Sequence, residues 1–258
     1  MRAAGRQATT EIPAVIASTD LEPADRAQRS TLARQGYDRL VSSRPHLGDI
    51  LANSITHGIG AALAIAGAVC LIVASTRGSA RVVVGCAVFS GSLILVYLSS
   101  TLYHALARTR ARPVFHVLDH AAIYILIAGT YTPFTLVSLR GRLGWTLFGV
   151  VWGLAIVGVA AKSIAMDRFT HGPLAFLSTA IYLIQGWLVV FVARSLFHAI
   201  GWHATCWLAA GGLAYTLGVI FYALDRIRYF HAAWHVFVLA GSAAHYFAIL
   251  FYVVPPRT

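Results

Sequence analysis

The sequence predicts an all-α, polytopic membrane protein of seven transmembrane helices, and three observations predict it. Hydrophobic residues make up 58% of the 258 residues and charged residues only 11%. Mean hydropathy is +0.71, and no soluble domain of this length needs so much apolar surface. Seven apolar runs follow one another from Ala52 to Val254, each near the roughly 20 residues that a ~30 Å hydrocarbon core requires. The charges fall almost wholly in the breaks between them.

Residues 1–49 read differently. Seven arginines, Arg2 to Arg44, alternate with acids, and no long apolar run occurs. There is no signal-peptide core. The expectation is a flexible cytoplasmic tail, with a short interfacial helix near Leu40 to Leu51. Residues 50–254 form the membrane domain, and residues 255–258 a short external tail. The runs are Ala52–Ala74, Val82–Leu106, Val117–Leu139, Leu143–Ala165, Pro173–Ala193, Ala204–Leu224 and Ala232–Val254. Gly129 and Pro133 in run three are tolerated in a membrane helix. Gly149 and Gly153 in run four make a GxxxG that allows close helix contact and carries little functional weight. Trp145, Trp187, Trp202 and Tyr252 at run edges fit an interfacial belt.

The formal net charge is +11. The basic residues sit in short turns, where they serve topology, and no aromatic-interleaved basic surface suggests nucleic acid. The tail and the turns after runs two, four and six hold 14 of the 20 Lys/Arg, the other side six. The amino terminus is therefore expected in the cytoplasm and the carboxyl terminus outside. Cys70, Cys86 and Cys206 lie within apolar runs and form no CxxC, so no disulfide framework or thiolate site is indicated.

Histidines stand where hydrocarbon is expected. His231 and His235, at i and i+4, lie on one face of a helix one turn apart, a spacing that suits one metal ion. The alternative is two interfacial histidines meeting headgroups and loop carbonyls. Run two ends at Ser100 and His104, run three begins with His116, Asp119 and His120, and run seven begins with His231 and His235. His104, Asp119, His231 and His235 thus reach a similar depth near one leaflet. Asp119 is the one acid placed well inside a run. Ionisable groups at such positions are functional candidates. His116 and His120 are rival ligands by spacing. However, His120 is rotated ~100° from Asp119 on a helix, which favours an interfacial place for both. His245 lies about 15 Å beyond His235 along the helix, too far to ligate the same ion. His57 shares the depth but has no i+4 partner. His171, His198 and His203 are expected in loops.

Ser100-x-x-x-His104, Leu118-Asp119 and His231-x-x-x-His235 with His245 together resemble the three motifs of the haemolysin III group, the bacterial branch of the progestin and adipoQ receptor family. Asn53-Ser54-Ile55-Thr56-His57-Gly58-Ile59-Gly60 and Gly129-Thr130-Tyr131-Thr132-Pro133 are similar to that branch as well. The resemblance covers about residues 48–254. It implies seven helices, a cytoplasmic amino terminus and residence in the bacterial plasma membrane. It further implies a zinc ion on His104, His231 and His235, with Asp119 and Ser100 beside it as catalytic candidates. The family sits among membrane hydrolases that include alkaline ceramidases.

Three neutral imidazoles and an open position make a catalytic rather than a structural zinc. Such zinc lowers the pKa of its water toward ~7. Asp119 is placed to accept that proton or orient the water. Ser100, one turn before His104, is placed to bond water or a substrate carbonyl, against the common alternative of its own i−4 carbonyl. Two function classes stay open. One is a zinc-dependent hydrolase of lipid amides or esters at the inner leaflet. The other is a non-enzymatic sensor or regulator of membrane lipids with a structural zinc. A cytolysin, as the family name suggests, is a third reading. No amphipathic insertion segment supports it.

Overall fold

The computed structural model describes residues 46–170 and 173–254. Of the tail expected over residues 1–49, residues 1–45 lie outside the described residues, as does the external tail over residues 255–258, while residues 47–49 are helical. All regular structure among the described residues is helical: α1 (Leu47–Ser75), α2 (Ala80–Ala105), α3 (Arg112–Pro133), α4 (Arg142–Thr170), α5 (Pro173–Trp187), α6 (Ala193–Ala223) and α7 (Phe230–Tyr252). Helix α1 starts at Leu47, five residues before the apolar run, so Asp49 falls in its first turn.

Large apolar side chains such as Ile55, Val69, Ile156 and Phe191 are exposed. On a soluble protein they would form an unusually broad apolar surface, whereas in lipid they face their solvent. Six described helical segments are long and apolar enough to cross a membrane. Runs five and six account for the difference from seven, since Phe176–Ala223 forms one helical segment of 48 residues. That segment is not straight. After α5 a 3-10 turn runs from Leu188 to Val192. Gly201 then adopts φ 76° and ψ 179°, a left-handed backbone that glycine takes without strain. Trp187 Nε1 donates to Thr216 Oγ1 at 3.0 Å. A straight helix would hold those residues roughly 43 Å apart, so the segment doubles back. His198 and His203, expected in loops, belong to the helical segment on either side of Gly201 and are exposed.

The helices close around a common interior. Gly85 of α2 approaches the Pro133 backbone, and Gly129 of α3 sits against Ser92. Gly158 of α4 takes the Tyr124 ring, and Gly60 of α1 lies under Tyr97 and Leu239. Gly149 and Gly153, the GxxxG pair, face open space, so close contact falls at other glycines. Pro133 has no N–H, and α3 passes there into a π-helical turn, Phe134–Ser138. Hydrogen bonds tie the remaining neighbours. Tyr182 donates to His120 O at 2.8 Å, and Tyr97 to Ser242 Oγ at 2.7 Å. Tyr246 donates to Gly67 O at 3.0 Å.

Lys162 corrects the sequence expectation. Counted with the turn after run four, it is a buried residue of α4, 2% exposed, with Nζ 6.0 Å from the Tyr182 ring centroid. The long lysine stem lets a basic residue sit in the bundle interior.

Candidate metal centre

Two helices supply the three histidines. His104 closes α2, and His231 and His235 occupy the first two turns of α7. One nitrogen from each lies within 4.8 Å of the others. The His104 ring stands edge-on to His231 at 4.9 Å and to His235 at 5.1 Å between centroids. The start of α7 is held by an unusual contact. Tyr229 adopts φ +66°, rare for a residue with a side chain. Its N–H donates to Asp49 Oδ1 at 3.0 Å, so the first turn of α1 fixes the residue two before His231.

The donors fit a metal of the zinc type. Neutral imidazole nitrogen is a donor that such an ion takes. His104 Nε2 is buried with no hydrogen-bond partner, the condition of a nitrogen meant for an ion. Asp119 lies outside the group of mutually close ligand atoms. It lines the same cavity as Ser100, His231 and His235. Ser100 Oγ makes no hydrogen bond to a backbone carbonyl. The i−4 back-bond seen at Ser99 is therefore absent at Ser100.

His120 departs from the interfacial expectation. It lines the cavity, and its Nδ1 lies 3.8 Å from Asp119 Oδ2. A 100° rotation does not separate the two because they are consecutive residues, whose side chains stay within reach of each other. His116 stacks on Tyr103 at 4.9 Å. Neither joins the three-histidine group. Asp225, in the loop between α6 and α7, has its carboxyl pushed up by partial burial, with Arg226 opposing the shift. His245 bonds Leu208 O through Nε2 at 3.3 Å. Trp187, expected in an interfacial belt, instead lines the cavity and bonds Thr216.

The cavity has a volume of about 330 Å³. Its α3 wall runs from Asp119 to Phe134, roughly 22 Å along the helix. Away from the histidines the lining is largely Leu, Ile and Val, with Leu126, Leu139 and Leu196 among them.

Residues 50–246 match the family described as haemolysin-III related. The chain belongs to the haemolysin III family. It is 46% identical to Hemolysin-3 of Bacillus cereus over 206 residues, covering 80% of this chain and 92% of that protein. More distant members of the same wider group also match. Human monocyte to macrophage differentiation factor is 31% identical over 172 residues, 64% of this chain and 69% of the relative. Heptahelical transmembrane protein ADIPOR2 of Oryza sativa subsp. japonica is 30% identical over 182 residues, 62% and 77%. This haemolysin III member is a multi-pass plasma-membrane protein.

Sequence reasoning missed Thr56, whose Oγ1 lies 3.0 Å from His235 Nδ1. The only signal was its place in the Asn53–Gly60 stretch.

Proposed function

We propose that this haemolysin III protein is a zinc-dependent hydrolase of lipid amide or ester bonds, working at the cytoplasmic leaflet. The observation that carries the reading is a three-histidine cluster of which His231 and His235 line the same largely apolar cavity as Asp119 and Ser100. Apolar walls accept an acyl chain, and few polar groups converge where the chain's head would lie. His104, His231 and His235 would hold the zinc, which when bound would supply Lewis acidity and acidify water toward neutral pH. Asp119 would accept the proton that water gives up and return it to the leaving group. The Ser100 hydroxyl would donate to the substrate carbonyl. Catalysis here needs only water besides the lipid.

The reading includes seven passes, with the amino terminus in the cytoplasm. The fold-back of Phe176–Ala223 supports two crossings in that segment, and the rice relative is by name heptahelical. The arginine distribution supports the orientation.

A regulator with a structural zinc is the second reading. It is favoured by the cluster joining α2 to α7, which a metal would tie together. Lysis, after the name of the Bacillus cereus relative, is secondary to both.

The test is purified protein in vesicles of defined ceramide or phospholipid, with mass-spectrometric detection of products. One zinc per chain is expected, with products from wild type and none from His235→Ala. Stoichiometric zinc without product from either lipid class would leave the regulator.

A further inference from the structure

Helix α1 gives no ligand to the histidine cluster, yet two consecutive side chains of its Asn53–Gly60 stretch hold His235. Thr56 Oγ1 lies 3.0 Å from His235 Nδ1, across a separation of 179 residues. The Thr56 proton is committed to its own helix, toward Ala52 O at 2.8 Å and Asn53 O at 3.0 Å. A hydroxyl whose proton is spent offers only lone pairs. His235 Nδ1 must then carry the proton and donate it to Thr56. In a neutral imidazole that leaves Nε2 as the bare nitrogen. Ser54, two residues earlier, bonds only its own Ile50 O among the described residues. Of these two hydroxyls, Thr56 is the one that bonds across to another helix.

His57 holds the same ring by its face. The two imidazoles stack at 3.5 Å between centroids and 12° between planes. Tyr97 stands edge-on to His57 at 5.1 Å and backs it from α2. His57 is not itself a fourth ligand in this arrangement. A metal lies in the plane of each ring that binds it, and two stacked parallel rings share no such plane.

We propose that α1 is the positioning element of the metal site: Thr56 sets the tautomer of His235 so that Nε2 meets the ion, and His57 fixes the plane of its ring. The inference rests on the reading of His104, His231 and His235 as metal ligands. It gives a role to a motif that otherwise has none, since no other part of the proposed chemistry uses α1. Partners behind a ligating histidine commonly control metal affinity 10–100-fold. Thr56 is therefore a positioning residue, and its effect is read in metal affinity before any turnover.

The experiment uses the full chain in detergent, stripped with chelator and reloaded with Zn²⁺ against a chromophoric competitor. Thr56→Val keeps the volume and removes the oxygen. Zinc affinity should fall about 10–100-fold, while the metal-free protein melts at the wild-type temperature. Thr56→Ser keeps the oxygen and should restore most of the affinity. Wild-type affinity in Thr56→Val would overturn the proposal, and so would equal losses in the valine and serine variants. If the valine variant does not fold, Thr56→Ala against Thr56→Ser makes the same comparison. A wild-type protein that binds no zinc would remove the metal reading together with this one. Zinc binding without lipid hydrolysis would leave the positioning role standing and remove only the hydrolase.

Discussion

Asp119 is where ligand and catalyst part. It lines the same cavity as His231 and His235 but lies outside the mutually close donor atoms. Asp119→Asn keeps the size and a hydrogen-bonding oxygen and loses the proton acceptor. The asparagine variant should keep most of its zinc and lose turnover by roughly 10²–10⁴. Metal analysis and product formation on the same preparation check this. Zinc loss as deep as that expected in His231→Ala would make Asp119 a ligand. Full turnover with full zinc would remove it from the chemistry. At this scale the grouping of His104, His231 and His235 was legible, because i, i+4 spacing and a matching depth are properties of single helices. The places of Thr56, His120 and Lys162 were not legible. Each depends on which neighbouring helix packs beside it: α7 beside α1 for Thr56, and α5 near both α3 and α4 for the other two.

Helix packing here is decided at individual glycines. A Cβ on Gly158 would meet the Tyr124 ring at 2.5 Å, while one on Gly153 meets nothing within 4 Å. Both stand in α4, five residues apart, and the GxxxG of Gly149 and Gly153 points to the wrong one. Gly158→Ala should destabilise the bundle by about 1–3 kcal/mol through overpacking. Gly153→Ala should leave it unchanged or slightly more stable, since alanine costs less than glycine in a helix. Thermal unfolding of the two variants in the same detergent checks the contrast. Equal melting temperatures would mean that α4 can shift away from Tyr124. Element type and approximate length were readable because a membrane span needs about 20 apolar residues whatever it packs against. The junction of runs five and six was not. Both its break and its helical continuation come from backbone geometry near Gly201.

For the whole molecule the first question is direction. The 14-to-6 distribution of Lys/Arg weights the amino-terminal side. Lys162 is buried within α4 rather than lying in a turn, which weakens the loop contribution and leaves the tail dominant. A reporter fused after Thr258 should read outside, and one near Met1 cytoplasmic. A cytoplasmic carboxyl terminus would mean an even number of passes or an inverted protein. Removing the tail arginines as a block should produce mixed orientation, measured by the same reporters.

By itself the sequence determined the medium of this protein and picked out the histidines that come together. Hydropathy selects the bilayer because apolar residues and unpaired backbone have no other stable arrangement there, and i, i+4 spacing puts two imidazoles on one helix face because that geometry is local. Tertiary structure alone decided what surrounds those donors. It brought Thr56 of α1 to His235 and Tyr182 of α5 to His120. It also left an apolar cavity about 330 Å³ in volume beyond them. These are contacts between segments distant in the chain. Their positions follow from which side chains fill the space between helices, and no local pattern encodes that.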